Sequence, residues 1–171
     1  NAPVLGTTLF EKLEDLSVDY SFKALGEVRK GLILGETAQD ITKRLIAKAP
    51  TKYANTIVRT SVNHVSASAR QATFEENAEF IESIEILATL DTRTSDICKG
   101  YDGQTFPIDS GPRPPFHPNC RSTIIPVVKP FTKLKTKEQV RVPETKRASM
   151  TGEVSGKTSY GSWLKKQSAA I

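Results

Sequence analysis

The sequence predicts an α+β fold: N-terminal helices packed on a small antiparallel sheet or hairpin, followed by an extended basic C-terminal arm. Three observations carry that expectation. Through the first half of the chain apolar residues recur mainly at intervals of three and four, the mark of amphipathic helices. The period then changes to two over Ile84, Ile86, Ala88 and Leu90, as in a half-buried strand. Beyond this region the charge changes: residues 128–171 hold 10 Lys/Arg against 3 Asp/Glu, while residues 1–127 hold 14 against 16.

Taken in order, residues 1–16 read as an extended lead-in followed by a short helix carrying Leu5, Leu9, Phe10, Leu13 and Leu16. Tyr20, Leu25, Val28 and Leu32 predict a second helix, closed by Gly35. Thr37-Ala38-Gln39-Asp40 has the form of a capping box and opens a helix with Ile41, Leu45 and Ile46 on one face, ending before Pro50. Thr51 stands where the next helix would be capped. That helix, about Lys52 to Phe74, carries Ala54, Ile57, Val58, Val62, Val65 and Ala69 as its apolar stripe. Arg59, Asn63, Ser66 and Arg70 form a second, polar stripe, read either as a solvated face or as a place where Arg59 meets a carboxylate or phosphate. After the alternating strand, Asp91 to Ser95 reads as a turn. Asp102-Gly103 favours a tight turn with positive φ, with Tyr101 and Phe106 packing across a small hairpin. Five prolines between Pro107 and Pro118 exclude regular structure there, and Ser122 to Val128 reads as a closing strand. The expected organisation is a helical lead-in (1–35), a central domain (36–128) and an arm (129–171).

The arm's basic residues, Lys129, Lys133, Lys135, Lys137, Arg141, Lys146 and Arg147, are candidate contacts for DNA or another anionic partner. Near the end of the chain Tyr160, Trp163 and Leu164 could share one face of a short helix that docks on the body or on a partner. No apolar run approaches the ~20 residues needed to cross a bilayer as a helix.

Both cysteines and one of the two histidines fall between Leu90 and Val127. Cys98, His117 and Cys120 offer two thiolates and an imidazole, a donor set suited to zinc, with Asp91, Asp96 or His64 as candidate fourth ligand. A Cys98–Cys120 disulfide, worth roughly 3 kcal/mol in an oxidising compartment, and a pair of buried free thiols are the other readings. A Cys–His nucleophile pair is a further alternative, but no Gly-rich oxyanion loop, His-Glu-x-x-His or phosphate-binding loop accompanies it. The Asp91-x-Arg93 spacing predicts that Asp91 holds Arg93 in the turn. Arg113, among the prolines, is expected in an open loop.

Three spaced motifs resemble the phage Mu F-like, or SPP1 gp7-like, head morphogenesis proteins. The first is Asp91-Thr92-Arg93-Thr94-Ser95-Asp96-Ile97-Cys98, following a strand. The second is the turn Tyr101-Asp102-Gly103-Gln104-Thr105-Phe106. The third closes the proline-rich loop as Pro115-Phe116-His117-Pro118-Asn119-Cys120-Arg121-Ser122. Upstream, Arg59-Thr60 matches an Arg-Thr pair of the family, with Ser61 where Glu is common. Ser95 and Ser122 stand where many relatives have further cysteines. The resemblance covers about Ile41 to Val128 and extends to Ser159–Ser168, similar to a Tyr-x-x-Trp-Leu-x-x-Gln stretch.

The resemblance implies a structural minor head protein of a tailed phage, located in the virion at the portal vertex and in the host cytoplasm during assembly. It implies the portal protein as partner, with the major capsid protein, a scaffold and packaged double-stranded DNA as further candidates, and a role in head assembly and in DNA packaging or ejection. No catalytic activity is implied. Asp91, Arg93, Thr94, Asp102, Gly103, His117, Pro118, Cys120 and Arg121 are expected to form a structural knuckle. The reading from a different class is a small zinc- or thiol-dependent enzyme acting on nucleic acid.

Overall fold

The computed structural model describes residues 18–48, 53–129 and 145–168, with side chains from Lys23 to Gln167 within those ranges. The helix expected within residues 1–16, the cap at Thr51, and Lys133, Lys135, Lys137 and Arg141 lie outside the described residues.

Three helices come first: α1 (Val18–Ile33), α2 (Ala38–Lys48) and α3 (Ala54–Glu76). Gly35 ends α1 as expected, at φ +67°. The Glu36 N–H donates to the Gly31 carbonyl and the Gly35 N–H to that of Leu32, the paired bonds of a Schellman cap. Thr37 opens α2 by accepting from the Asp40 N–H at 3.3 Å. Ala24 and Val28 of α1, Ile41 and Leu45 of α2, and Ala54, Ile57 and Val58 of α3 bury one another in a first core. Arg44 clamps α2 to α1 through Glu27 at 2.7 Å and to the connection between the two helices through Glu36.

The predicted stripe of α3 holds only over its first half. Further along, Val65 is exposed, and His64, Ala67, Gln71 and Phe74 are buried instead. The helix leaves the helical core and runs onto the sheet, so its buried face changes partner along its length. Phe74 joins Ile81, Ile84, Ile86 and Ile124 in a second core.

β1 (Ile81–Leu87) lies at the centre of a three-stranded antiparallel sheet, between β2 (Thr105–Phe106) and β3 (Thr123–Val128). The ladder ends at Leu87, but the alternation continues, and Ile84, Ile86, Ala88 and Leu90 are all buried. Pro126 faces Ile84 from β3, an edge strand where a missing N–H is tolerated.

Two expectations need correction. Asp91 to Ser95 is a turn as expected, but the chain after it folds as a short helix, α4 (Asp96–Tyr101), whose Ser95 cap accepts from the Cys98 N–H at 3.3 Å. The Asp102-Gly103 turn is also as expected: Asp102 has φ −59° and ψ 121°, Gly103 has φ +78°, and the Gln104 N–H reaches the Tyr101 carbonyl at 3.0 Å. These are the angles of a type II turn, which favours Gly at its third position. Tyr101 and Phe106 do pack edge-on, with centroids 6.2 Å apart, but from a helix and a strand rather than across a hairpin.

The second correction concerns the arm. Its described part, residues 145–168, forms an antiparallel hairpin of β4 (Lys146–Ser149) and β5 (Gly152–Ser155), followed by α5 (Tyr160–Ser168). Leu90 bridges to Ser149, and the Met150 N–H donates to the Leu90 carbonyl at 2.9 Å. Tyr160 and Trp163 bury against Leu90, with Val154 packed on them. Docking on the body is thus what these two aromatics do, whereas Leu164 lies outside that cluster and is 44% exposed.

Candidate functional site

The cysteines and histidine meet where α4 faces the turn leading into β3. Cys98, on the first turn of α4, places its Sγ 3.7 Å from Cys120 Sγ and 3.2 Å from His117 Nε2. Both cysteines are buried and unbridged. His117 Nδ1 lies 2.8 Å from the Pro118 carbonyl. A carbonyl only accepts, so Nδ1 carries the proton and Nε2 presents its lone pair to Cys98 and to the Ser95 hydroxyl, 2.8 Å away. Within the thiol pair, Cys120 is drawn toward the thiolate because Cys98 donates to it, helped by the backbone N–H groups of Phe116 and Ser122 against the effect of burial. Cys98 is pushed up for the same reason, and by burial.

α3 holds this turn from behind. Asn119 adopts φ +59°, its N–H donates to Thr60 Oγ1 at 3.0 Å, and its side-chain amide reaches Thr56 Oγ1 at 3.1 Å. Asn63 Nδ2 donates to the Cys120 carbonyl at 2.7 Å. Thr60 is fully buried. Arg59-Thr60 was singled out in the sequence, yet nothing local showed that Thr60 and Asn63 grip a turn almost sixty residues away.

Asp91, a candidate fourth ligand, stands apart from the three-residue group. Its carboxylate is taken by Arg121, with Nη2 at 2.8 Å from Oδ1 and Nη1 on Oδ2, and by the Arg93 N–H at 3.0 Å. The Thr94 hydroxyl donates to the Thr89 carbonyl at 2.5 Å and lies 3.1 Å from Asp91 Oδ1. His64 and Asp96 are likewise outside the group, and Asp96 is exposed and paired with Lys99. Arg121 beside Asp91 holds its carboxyl well below the usual carboxylate range, against a smaller opposing effect of burial. A carboxyl depressed in the folded state stabilises the fold above its unfolded value of about 4 and loses that contribution as pH falls through its folded value. Asp91→Asn should therefore lower the melting temperature at neutral pH and flatten its decline between about pH 5 and pH 2, as thermal melts across that range would show.

Two arginines differ from expectation. Arg93 does sit in the turn and pair with Asp91, at 3.6 Å from Oδ2, but from the surface, its side chain 82% exposed, so the grip is looser than expected. Arg113 is buried, bonded to Gln71 Oε1 at 2.8 Å and to the carbonyls of Pro107, Ile108, Ser110 and Pro112. Arg147, expected to meet DNA or a partner, is buried and ion-paired with Asp102, because the hairpin folds it back onto the body. It also donates to the Thr158 carbonyl at 2.8 Å and to that of Ala88. Of the other described arm cations, Lys146 pairs with Glu153 at 2.8 Å, and Lys129 Nζ caps the Ala78 and Glu79 carbonyls at 3.0 and 3.1 Å. Asp102 accepts in addition from the Ala88 N–H at 2.8 Å and the Tyr160 N–H at 2.6 Å, so the turn residue ties β1, the hairpin and α5 together.

Two hollows flank the knuckle. One is a cavity of about 30 Å³ lined by Ser95, Cys98, His117, Arg121 and Ser122 among others. The other is a groove of about 510 Å³ between α3 and the 119–123 segment. The whole polar stripe of α3 (Arg59, Asn63, Ser66 and Arg70) lines that groove with Arg121, and among the described residues no carboxylate does. No described helix is long and apolar enough to cross a membrane.

Fold and site together define a small α+β body whose signature residues hold its loops to one another. Residues 23–125 match the family model described as Phage Mu protein F like protein, more than half of the chain. The chain belongs to that family. The match begins within α1, earlier than the Ile41 start of the motif resemblance. No curated protein and no solved structure matches the chain significantly. Membership makes this a phage head morphogenesis protein, which works among other components of the head.

Proposed function

We propose that this chain is a minor head protein at the portal vertex, acting structurally in head assembly and in DNA packaging or ejection. The observation that carries the reading is the use made of the family's signature residues. Asp91 and Arg121 pair with each other, Asp102 pairs with Arg147, and Thr60 holds Asn119. Holding the body's shape in this way suits a part that docks in an assembly. The cationic groove, with Arg59 and Arg70 beside Arg121, and the Lys-rich stretch from Lys129 to Arg141 support contact with packaged DNA, through phosphates and without regard to base sequence.

The test uses the full chain with an affinity tag, added to portal protein and to assembled heads. Capture of portal is expected, and a chain that leaves both portal and heads in the unbound fraction would overturn the reading. For the DNA contact, each phosphate lost should reduce the salt dependence of duplex binding by about 0.9 in log–log slope. Arg59→Ala with Arg70→Ala is expected to lower that slope while portal capture persists. An unchanged slope would reject the groove as a DNA contact.

The alternative, a zinc- or thiol-dependent enzyme on nucleic acid, draws on the 3.2 Å contact of Cys98 with His117. The hollow beside that pair, about 30 Å³ and partly open to solvent, has room for water, and the larger groove is lined by neither residue of the pair. Nuclease activity lost in Cys98→Ala would favour this alternative.

A further inference from the structure

We propose that Cys98, His117 and Cys120 form a structural zinc site whose fourth ligand is a water held in the small cavity beside them. The inference rests on the geometry of the knuckle and is independent of the portal reading. Zinc binds thiolate at about 2.3 Å and imidazole nitrogen at about 2.0–2.1 Å, so a tetrahedral site has an S···S edge of about 3.8 Å and S···N edges of about 3.6 Å. The two sulfurs stand 3.7 Å apart. His117 Nε2 is 3.2 Å from Cys98 Sγ, and all three donor atoms lie within 4.8 Å of one another. A ring shift of about 1 Å balances the two S···N edges around one ion.

Three further features point the same way. His117 donates Nδ1–H to a backbone carbonyl, the Pro118 oxygen at 2.8 Å. That arrangement fixes the tautomer leaving Nε2 for a metal, and zinc-binding histidines commonly have it. Asn63 and Thr60 hold the turn bearing His117 and Cys120 in place. Finally, Ser122 is 2% exposed, its Oγ faces the Cys98 thiol with no well-formed hydrogen bond among the described residues, and it lines the cavity next to Cys98 and His117. A metal-bound water in that cavity would supply the missing partner. Cys98 lies at the start of α4 and His117 and Cys120 in the turn before β3, so the ion serves as a cross-link between the two.

The experiment uses the full chain, purified under reducing conditions without chelator. Elemental analysis is expected to find about one zinc per chain. Cys98 and Cys120 should resist alkylation until a chelator is added, and stripped protein should regain both protection and melting temperature when Zn²⁺ is returned. Cobalt in place of zinc should give the intense ligand-field bands of a tetrahedral thiolate site. Cys98→Ser should abolish uptake, and because that variant could fail to fold, the deciding comparison is wild-type protein with and without Zn²⁺. Folded, reduced wild type that takes up no zinc, with both thiols alkylated equally fast in either condition, would overturn the proposal. So would a Cys98–Cys120 disulfide whose reduced form behaves in that way.

Discussion

Asp102→Ala is expected to cost about 3–5 kcal/mol, the range for breaking a buried ion pair by removing one partner. The Asp102 side chain is 1% exposed and that of Arg147 is 8% exposed. Without Asp102 the Arg147 guanidinium stays inside with only the Thr158 and Ala88 carbonyls to receive it. The Ala88 and Tyr160 N–H groups lose their acceptor at the same moment. Against a total stability of about 5–15 kcal/mol, such a loss is large. Urea unfolding followed by circular dichroism measures it, and a change below about 1 kcal/mol would contradict the assigned network. Most of the cost comes from stranding a charge rather than from losing an attraction, so adding Arg147→Met should recover part of it. The hairpin and α5 should be the first parts to loosen, because Asp102 is where both are fastened to β1.

What could be read from the sequence followed the range of each signal. Gly35, the Thr37 cap, the alternation from Ile84 to Leu90 and the Asp102-Gly103 turn are encoded within a few residues, and all are in the structure. That Cys98, His117 and Cys120 come together is also legible, since they lie within one short stretch of chain. Asp91 was misassigned as a ligand because spacing alone does not show which cation a carboxylate will choose. Arg121, thirty residues away, offers a planar fork that grips both oxygens. Lys146-Arg147 looked like part of a solvated basic arm for a related reason. One arginine in a cationic stretch is indistinguishable from its neighbours until the fold delivers a carboxylate to it. The short strands β4 and β5 were hidden because charged and small residues fill them, so their alternation carries almost no hydrophobic signal. Thr60 shows the same limit from the other side: a threonine in a helix gives no sign that its hydroxyl accepts from Asn119.

Arg113→Ala is expected to destabilise the protein by about 3 kcal/mol or more, while Arg93→Ala should change stability by no more than about 0.5 kcal/mol. The sequence suggested the reverse order, placing Arg93 in a carboxylate's grip and Arg113 in an open loop. The proline-rich segment lacks a ladder in which to satisfy its own backbone, and Arg113 supplies what is missing. Its guanidinium donates to four carbonyls of the segment and to Gln71 of α3, so one side chain both closes the loop on itself and pins it to the helix. Burial pushes the guanidinium below its ordinary pKa, with Glu75 and Asp109 partly offsetting the shift. An arginine nevertheless remains charged at any working pH, and its desolvation is tolerable only while the bonds are made. Removing it takes the donor from the part-buried Pro107, Ser110 and Pro112 carbonyls, each costing up to about 1–3 kcal/mol unless water enters, and leaves the Ile108 carbonyl with Gln71 Nε2 alone. Arg113→Lys should rescue little, because an ammonium has three donors in place of five and no planar fork. Melting curves of the three variants decide the matter. Equal losses for Arg93→Ala and Arg113→Ala, or full rescue by lysine, would show that the loop is held by its prolines and not by this arginine.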